Sequence, residues 1–370
     1  MIRATSFFTT RMVQPYHQVL IETDQSVMVL ADNTAERNDG VRGEQNVAKP
    51  FRIAMVGLGE VAGYHMAAIG SMHKTMQVVI GVDPSEDQRA TFKGHSVATL
   101  DELNFGSLDA VVVATPTATH CQIATQALLA GCAVLVEKPA VTSKTDWDTL
   151  LEAANMSGAP IHTALHARYS PERRWFTHAK RWLVADHGPI CAFHSQAFDP
   201  YAQANDHPSK VRSLAGSWLD SGINVLSGLD SILEEWTIES VRRIGAHGIR
   251  DTAATATVRF SRRGLEHAGF GIIETSWHAS RSWKETVLFF EESGARLHLV
   301  HSKHRAELKT PNGELQVLFD APPQRRRLYI HYEGVYRDFA KVLLGQPDNR
   351  ELSERLHRAL LIEPEFGGRR

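Results

Sequence analysis

Three clusters of side chains in this sequence are spaced for chemistry. Glu137-Lys138-Pro139 directly follows a short apolar run, Ala133–Val136. A Glu-Lys pair is most often a solvated surface ion pair. At the carboxyl end of a strand, with a proline restricting the backbone behind it, it faces the cleft where open α/β sheets bind ligands. Gly57-Leu58-Gly59-Glu60-Val61-Ala62 reads G-x-G-x-x-A after another apolar run. The first glycine permits a tight turn, the second lets backbone approach a pyrophosphate, and the small last residue lets helix pack on strand. The N-terminus of the helix that follows offers amide donors and a partial positive charge to phosphates. Asp220 and Asn224 lie four apart in a helical stretch and share one face. The first can accept a proton, and the second can hold a hydroxyl through its paired donor and acceptor.

The residues around these clusters refine the ligand. Asp83 ends an apolar run 20 residues after Gly63. A carboxylate there accepts both ribose hydroxyls of NAD and repels the 2′-phosphate of NADP. An Asp before Pro84 also caps turns in any strand–turn unit, and Arg89 nearby keeps NADP open. Thr115 and Pro116, at the end of another apolar run, can flank a nicotinamide ribose, with His120 just beyond. Thr117 can equally cap the next helix.

The elements that must carry these residues follow from periodicity. Apolar runs at Phe51–Val56, Gln77–Val82, Asp109–Ala114, Ala133–Val136 and Pro160–Leu165 alternate with helical spacing at Tyr64–Met72, Thr119–Ala130 and Trp147–Asn155. That alternation predicts right-handed crossovers and a parallel sheet covered on both faces. After Tyr169 the rhythm changes. A helix (Pro171–Val184), a strand (Pro189–Ala197), a polar segment (Phe198–Ser213) and a helix (Trp218–Trp236) precede period-two alternation from Ile238 to Leu318. Helices near Tyr332–Leu344 and Leu352–Leu361 close the pattern. The fold class is α/β: an N-terminal Rossmann dinucleotide-binding domain plus a C-terminal α+β domain with a largely antiparallel open sheet. The boundaries read as an extension over residues 1–50, the first domain over 51–169 and the second over 170–370.

Composition excludes several classes. The net charge is −2, which offers no general attraction to nucleic acid or anionic membrane. No apolar run approaches the roughly 20 residues of a membrane-spanning helix. Three cysteines are too few for a disulfide framework, and the first residues lack an apolar block before a cleavage site, so a cytoplasmic location is expected. The 19 histidines are scattered without H-E-x-x-H or paired C-x-x-C, so no metal is expected. Arg325-Arg326-Arg327 reads as a solvated turn.

Taken in order, G-L-G-E-V-A, His65, V-V-V-A-T-P-T-x-x-H and V-E-K-P resemble the glucose–fructose oxidoreductase / inositol dehydrogenase / rhizopine catabolism (Gfo/Idh/MocA) family, closely over residues 51 to about 165 and in outline beyond. The resemblance implies that Lys138 sits between cofactor and substrate. Where the family has D-x-G-x-H, this chain has Asp220-Ser221-Gly222-Ile223-Asn224, so the acid–base histidine is absent. The longer segment L-D-S-G-I-N-V-L-S-G-L, with His166-Ala167-Arg168 after the last Rossmann strand, is similar to the L-arabinose/D-galactose 1-dehydrogenase branch. That branch implies oxidation of a sugar at C1 to a lactone. Asp220 is then the base, Lys138 holds the reacting oxygen, and Asn224 with His166 or Arg168 binds the sugar. Lys138 with a lowered pKa is the competing base. His166 and Arg168 can equally be packing residues at the domain junction. Another sugar or inositol dehydrogenase, or a dinucleotide-sensing regulator without turnover, uses the same fold. The resemblance also allows a homo-oligomer through the late sheet.

Overall fold

The computed structural model describes residues 49–202, 214–246, 250–262, 264–322 and 327–362. The extension over residues 1–50, most of the Phe198–Ser213 segment and the Arg325-Arg326 pair lie outside the described residues, apart from their edges.

The first sheet is built from β1 (Phe51–Val56), β2 (Met76–Val82), β3 (Ser96–Val97), β4 (Ala110–Val113), β5 (Ala133–Val136) and β6 (Ile161–Thr163). All pair in parallel, in the order β3-β2-β1-β4-β5-β6. The order reverses between β1 and β4, the switch point at which such sheets open a ligand crevice. Register aligns the strand ends: Val56 pairs with Val113, and Val113 with Val136. Gly57, Ala114 and Glu137 therefore stand in one row along the carboxyl edge.

The apolar runs are continuous because both faces are buried. Ala54, Val56, Val111, Val113, Val134 and Val136 face α3 (His120–Leu129) and α4 (Lys144–Ser157). Ile53, Met55, Val112 and Leu135 face α1 (Ala62–Ser71). The second face is completed from far along the chain. Helix α7 (Tyr329–Leu343) lays Tyr332, Val335, Tyr336 and Phe339 into the same cluster, beside α1. Helix α8 (Arg350–Leu360) packs on α4, with His357 stacked on Trp147 at 4.8 Å between ring centres. The short helix α2 (Glu86–Thr91) lies between β2 and β3, and between α4 and α7 come α5 (Pro171–His187), α6 (Ile223–Leu229) and the second sheet.

The second sheet has eight strands, β7 (Ile190–Phe198), β8 (Trp236–Ala246), β9 (Arg250–Phe260), β10 (Gly269–Ser276), β11 (Trp283–Phe290), β12 (Arg296–Val300), β13 (Arg305–Lys309) and β14 (Leu315–Asp320). Their order is β14-β13-β12-β11-β7-β10-β9-β8, antiparallel except for the β7–β10 pair. The predicted helix Trp218–Trp236 is shorter than its apolar spacing suggested. A π-helical turn over Trp218–Gly222 runs into α6, which stops at Leu229. Trp236 instead opens β8, its indole donating to Asp230. Among the described residues no helix is long and apolar enough to cross a membrane, and no group of three His, Cys, Asp or Glu is placed to hold a metal.

Candidate active site at the sheet's carboxyl edge

The glycine loop leaves β1 in a left-handed conformation at Gly57, φ +89°, where a side chain would sit 2.4 Å from the Ala114 carbonyl oxygen. Only glycine tolerates both the angle and the approach. Gly59 has nothing within 4 Å of a notional Cβ. The protein's own packing does not require that glycine, whereas a phosphate drawn close to the loop would. A cradle that a Cβ would fill thus fits a dinucleotide. Glu60 and Val61 follow on the exposed rim of the loop, with Val61 at the N-cap position just before α1.

Asp83 sits beside this loop. Its Oδ2 accepts the Leu58 amide at 2.8 Å and its Oδ1 the Ser85 amide at 2.9 Å. The turn-capping role is present, and each oxygen retains a lone pair for a further donor. Arg89 donates to the main-chain oxygens of Asp83 and Pro84, at 2.7 and 2.9 Å. Thr115 and Pro116 follow β4. His120 joins that loop to the next one: its ring nitrogens lie 2.8 Å from the Thr115 carbonyl and 2.9 Å from the Pro139 carbonyl. It positions the two loops from beneath and is itself 1% exposed.

Glu137 is buried and tied down on three sides. Its carboxylate accepts from His65 Nε2 at 3.0 Å, from the Tyr332 hydroxyl at 2.7 Å and from the Lys138 amide at 3.0 Å. A carboxylate only accepts, so His65 Nε2 carries the proton, and Nδ1 faces the Tyr336 hydroxyl at 2.9 Å. Burial raises the pKa of Glu137, but His65, first through its hydrogen bond, and the Lys138 charge outweigh it and hold the group down at about 2. Glu137 is therefore an anion at neutral pH and a fixed anchor for the residue after it. The motif string already contained His65, but its partnership with α7 joins residues 271 positions apart and had no local signal.

Lys138 reaches across to the second half of the chain. Its Nζ lies 2.6 Å from Asp220 Oδ1 and 3.1 Å from the Asp220 carbonyl oxygen. The side chains are 12% and 11% exposed. Burial works against the ammonium, yet Asp220 and Glu137 more than compensate, and the pKa of Lys138 stands above its ordinary value. The π-helical turn presents Asp220. Its Gly222 lies under the Trp218 ring, where a Cβ would come within 2.9 Å. The turn is pinned by the Trp218 amide on Asp251, at 2.6 Å, and the Trp218 indole on the Leu360 carbonyl, at 2.9 Å.

Asn224 lies one turn on and donates to the Asp220 carbonyl at 3.3 Å. That bond orients its Oδ1, which is buried with no hydrogen-bond partner. His166 stacks between Tyr332 and His331, at 5.3 and 5.8 Å, and its Nδ1 is likewise buried without a partner. Burial, with the Lys138 charge beside it, takes His166 down to about 3, so the ring is neutral. Arg168 is turned elsewhere. It donates to Asp230 at 2.8 Å and the Ser227 carbonyl at 3.3 Å, which is the packing role that its position at the junction also allowed. The structure therefore brings Lys138, Asp220, Asn224 and His166 together, with Glu137 behind them. A cation and a carboxylate from different elements meet in a largely dry site, an arrangement suited to moving a proton on and off an oxygen.

Residues 51–165 match the model of an oxidoreductase family with an NAD-binding Rossmann fold. The rhizopine catabolism protein MocA of Rhizobium meliloti is 24% identical over 126 residues, 33% of this chain and 39% of that protein. The match thus spans about two fifths of the curated relative. Among solved structures, levoglucosan dehydrogenase in complex with NADH and levoglucosan is 15% identical with a TM-score of 0.69, covering 85% of this chain and 95% of that one. A 3-ketoreductase from Actinomadura kijaniata, in complex with TDP-benzene and NADP, is 19% identical with a TM-score of 0.67, covering 84% and 95%. These likenesses show that the two-sheet fold is shared well beyond the first domain.

Proposed function

We propose, from the match of residues 51–165 to the model of the Gfo/Idh/MocA oxidoreductase family with its NAD-binding Rossmann fold, that this protein is an NAD(P)-dependent dehydrogenase of a sugar. The observation that carries the sugar is the pair of buried, unsatisfied polar atoms, Asn224 Oδ1 and His166 Nδ1, beside the Lys138–Asp220 pair. Unmade hydrogen bonds at buried atoms cost about 1–3 kcal/mol each, and a ligand bearing several hydroxyls would make them. That solved neighbours bear levoglucosan or nucleotide-linked ligands supports the same class.

A bound nicotinamide would accept hydride from the carbon being oxidised. Asp220 takes the proton of the hydroxyl on that carbon. Lys138 holds the oxygen through the developing negative charge and returns its own hydrogen bond to Asp220 as the proton leaves. Its raised pKa supports the ammonium rather than a neutral amine base. The finer reading is oxidation at C1 of a galactose- or arabinose-like aldose, giving a lactone. The likeness to a 3-ketoreductase favours a second reading, in which the oxidised position is another ring carbon. NADH formation across a panel of aldoses, 1,6-anhydrosugars and inositols tests both. Turnover of free aldoses alone supports C1. Turnover of substrates blocked at C1 overturns it, and no turnover with any of them overturns the sugar reading.

The cofactor preference rests on Asp83. We expect Asp83→Ser to shift the ratio of NAD to NADP affinity about tenfold or more toward NADP, because a repelling charge is removed beside Arg89. Fluorescence titration with each cofactor checks this, and an unchanged ratio rejects the ribose role. The open face of the second sheet leaves Phe270 and Ile272 half exposed, and a second copy of the chain is the partner proposed to cover them.

A further inference from the structure

A second buried lysine–aspartate pair stands close to the first. Asp199 follows β7 directly and is 4% exposed. Among the described residues its Oδ1 accepts from Lys284 Nζ and Ser282 Oγ, both at 2.7 Å, and its Oδ2 from Lys284 alone, at 2.8 Å. The three protons of the Lys284 ammonium are spoken for, on the two carboxylate oxygens and on Ser282 Oγ at 3.1 Å. Among the described residues the lone pair that remains uncommitted is on Asp199 Oδ2.

Sheet topology explains why this carboxylate is near Asp220. The β7–β10 pair is the parallel one, so two carboxyl ends lie together, Phe198 against Ser276. β11 runs back beside them with Lys284 opposite Ala197. The Asp199 amide is fixed on the Ser276 carbonyl at 2.8 Å, and β7 and β10 both pack against the turn that holds Asp220. The charges of the two pairs are mutually felt. Asp199 contributes to holding Lys138 protonated, and Asp220 acts on Lys284 in the same sense against the effect of burial. No local pattern around Asp199 or Lys284 distinguishes them in sequence, since they are 85 positions apart.

We infer that Asp199 is a specificity-determining residue: its Oδ2 accepts one particular hydroxyl of the substrate away from the reacting carbon, with Lys284 and Ser282 as positioning residues. This rests on the sugar reading above. A site built to bond a hydroxyl rejects an analogue that lacks it, because a buried charge is then left short of a partner.

The test uses the full chain and a substrate the wild type turns over, compared with its singly deoxygenated analogues. The wild type should discriminate against one deoxy analogue by about 10- to 100-fold in kcat/KM, mostly through KM. Asp199→Asn should lower kcat/KM for the parent sugar and abolish that one discrimination, leaving the others and NAD affinity intact. Should Asp199→Asn fail to fold, Ser282→Ala, which frees Oδ1 of one bond, should weaken the same discrimination and no other. Equal losses on all analogues would make Asp199 merely structural and overturn the inference with the sugar reading intact. If the wild type oxidises no sugar, both fall together.

Discussion

Asp220→Asn should cut turnover by about 10²–10⁴-fold while leaving NAD affinity near that of the wild type. The size is what a positioned general base typically contributes. The substitution keeps shape and the Lys138 contact through the amide oxygen, but an amide cannot take a proton at neutral pH. Asp220 is contributed by the π-helical turn, whereas the glycine loop and Asp83 sit on the first sheet, so cofactor binding should be spared. Stopped-flow NADH formation and a cofactor titration on the same preparation read the two quantities. Parallel loss of both would remove Asp220 from the chemistry and return it to a structural role.

Lys138→Met should damage stability as well as rate. On the proposed mechanism it removes the donor to the reacting oxygen, worth about 10²–10³-fold by analogy with other oxyanion donors. It also strands a carboxylate that is 11% exposed with no counter-charge. Removing one partner of such a pair commonly costs about 3–5 kcal/mol, so thermal unfolding should move down by several degrees together with the rate. Lys138→Arg should recover stability more than rate, because a planar guanidinium keeps the charge but not the position of the ammonium. An active, fully stable Lys138→Met protein would mean that the pair is incidental.

Much of the candidate site was legible in the sequence because its first half is local. The turn at Gly57, the carboxylate at Asp83 and the Glu137-Lys138 pair are each set by the end of a strand, and strands announce themselves by apolar runs. Asp220 and Asn224 were legible as a helical pair, although the turn that holds Asp220 is wider than an α-helix. The rest depends on contacts between distant segments. That Arg168 would spend its guanidinium on Asp230 follows from where α6 stops, not from its neighbours in sequence. The helix predicted to reach Trp236 ended early because Asp230 is engaged by Arg168, Arg355 and Trp236, and the chain must then turn into β8. His65 and the α7 tyrosines meet over the same long reach, and the Asp199–Lys284 pair exists only once the second sheet has formed.

The return of α7 to the first sheet has a consequence for how the molecule comes into being. The strip made by Ile53, Met55, Val112 and Leu135 is closed by side chains that leave the ribosome more than 180 residues after the last of those strands. Until then an oily surface stands open and Glu137 lacks the Tyr332 hydroxyl. Loop closure over such a span is slow. A shortened chain ending before Tyr329 should therefore emerge as a sticky, cofactor-blind fragment rather than a working nucleotide-binding module, and competence should appear in a nascent polypeptide only after its final helices have been made.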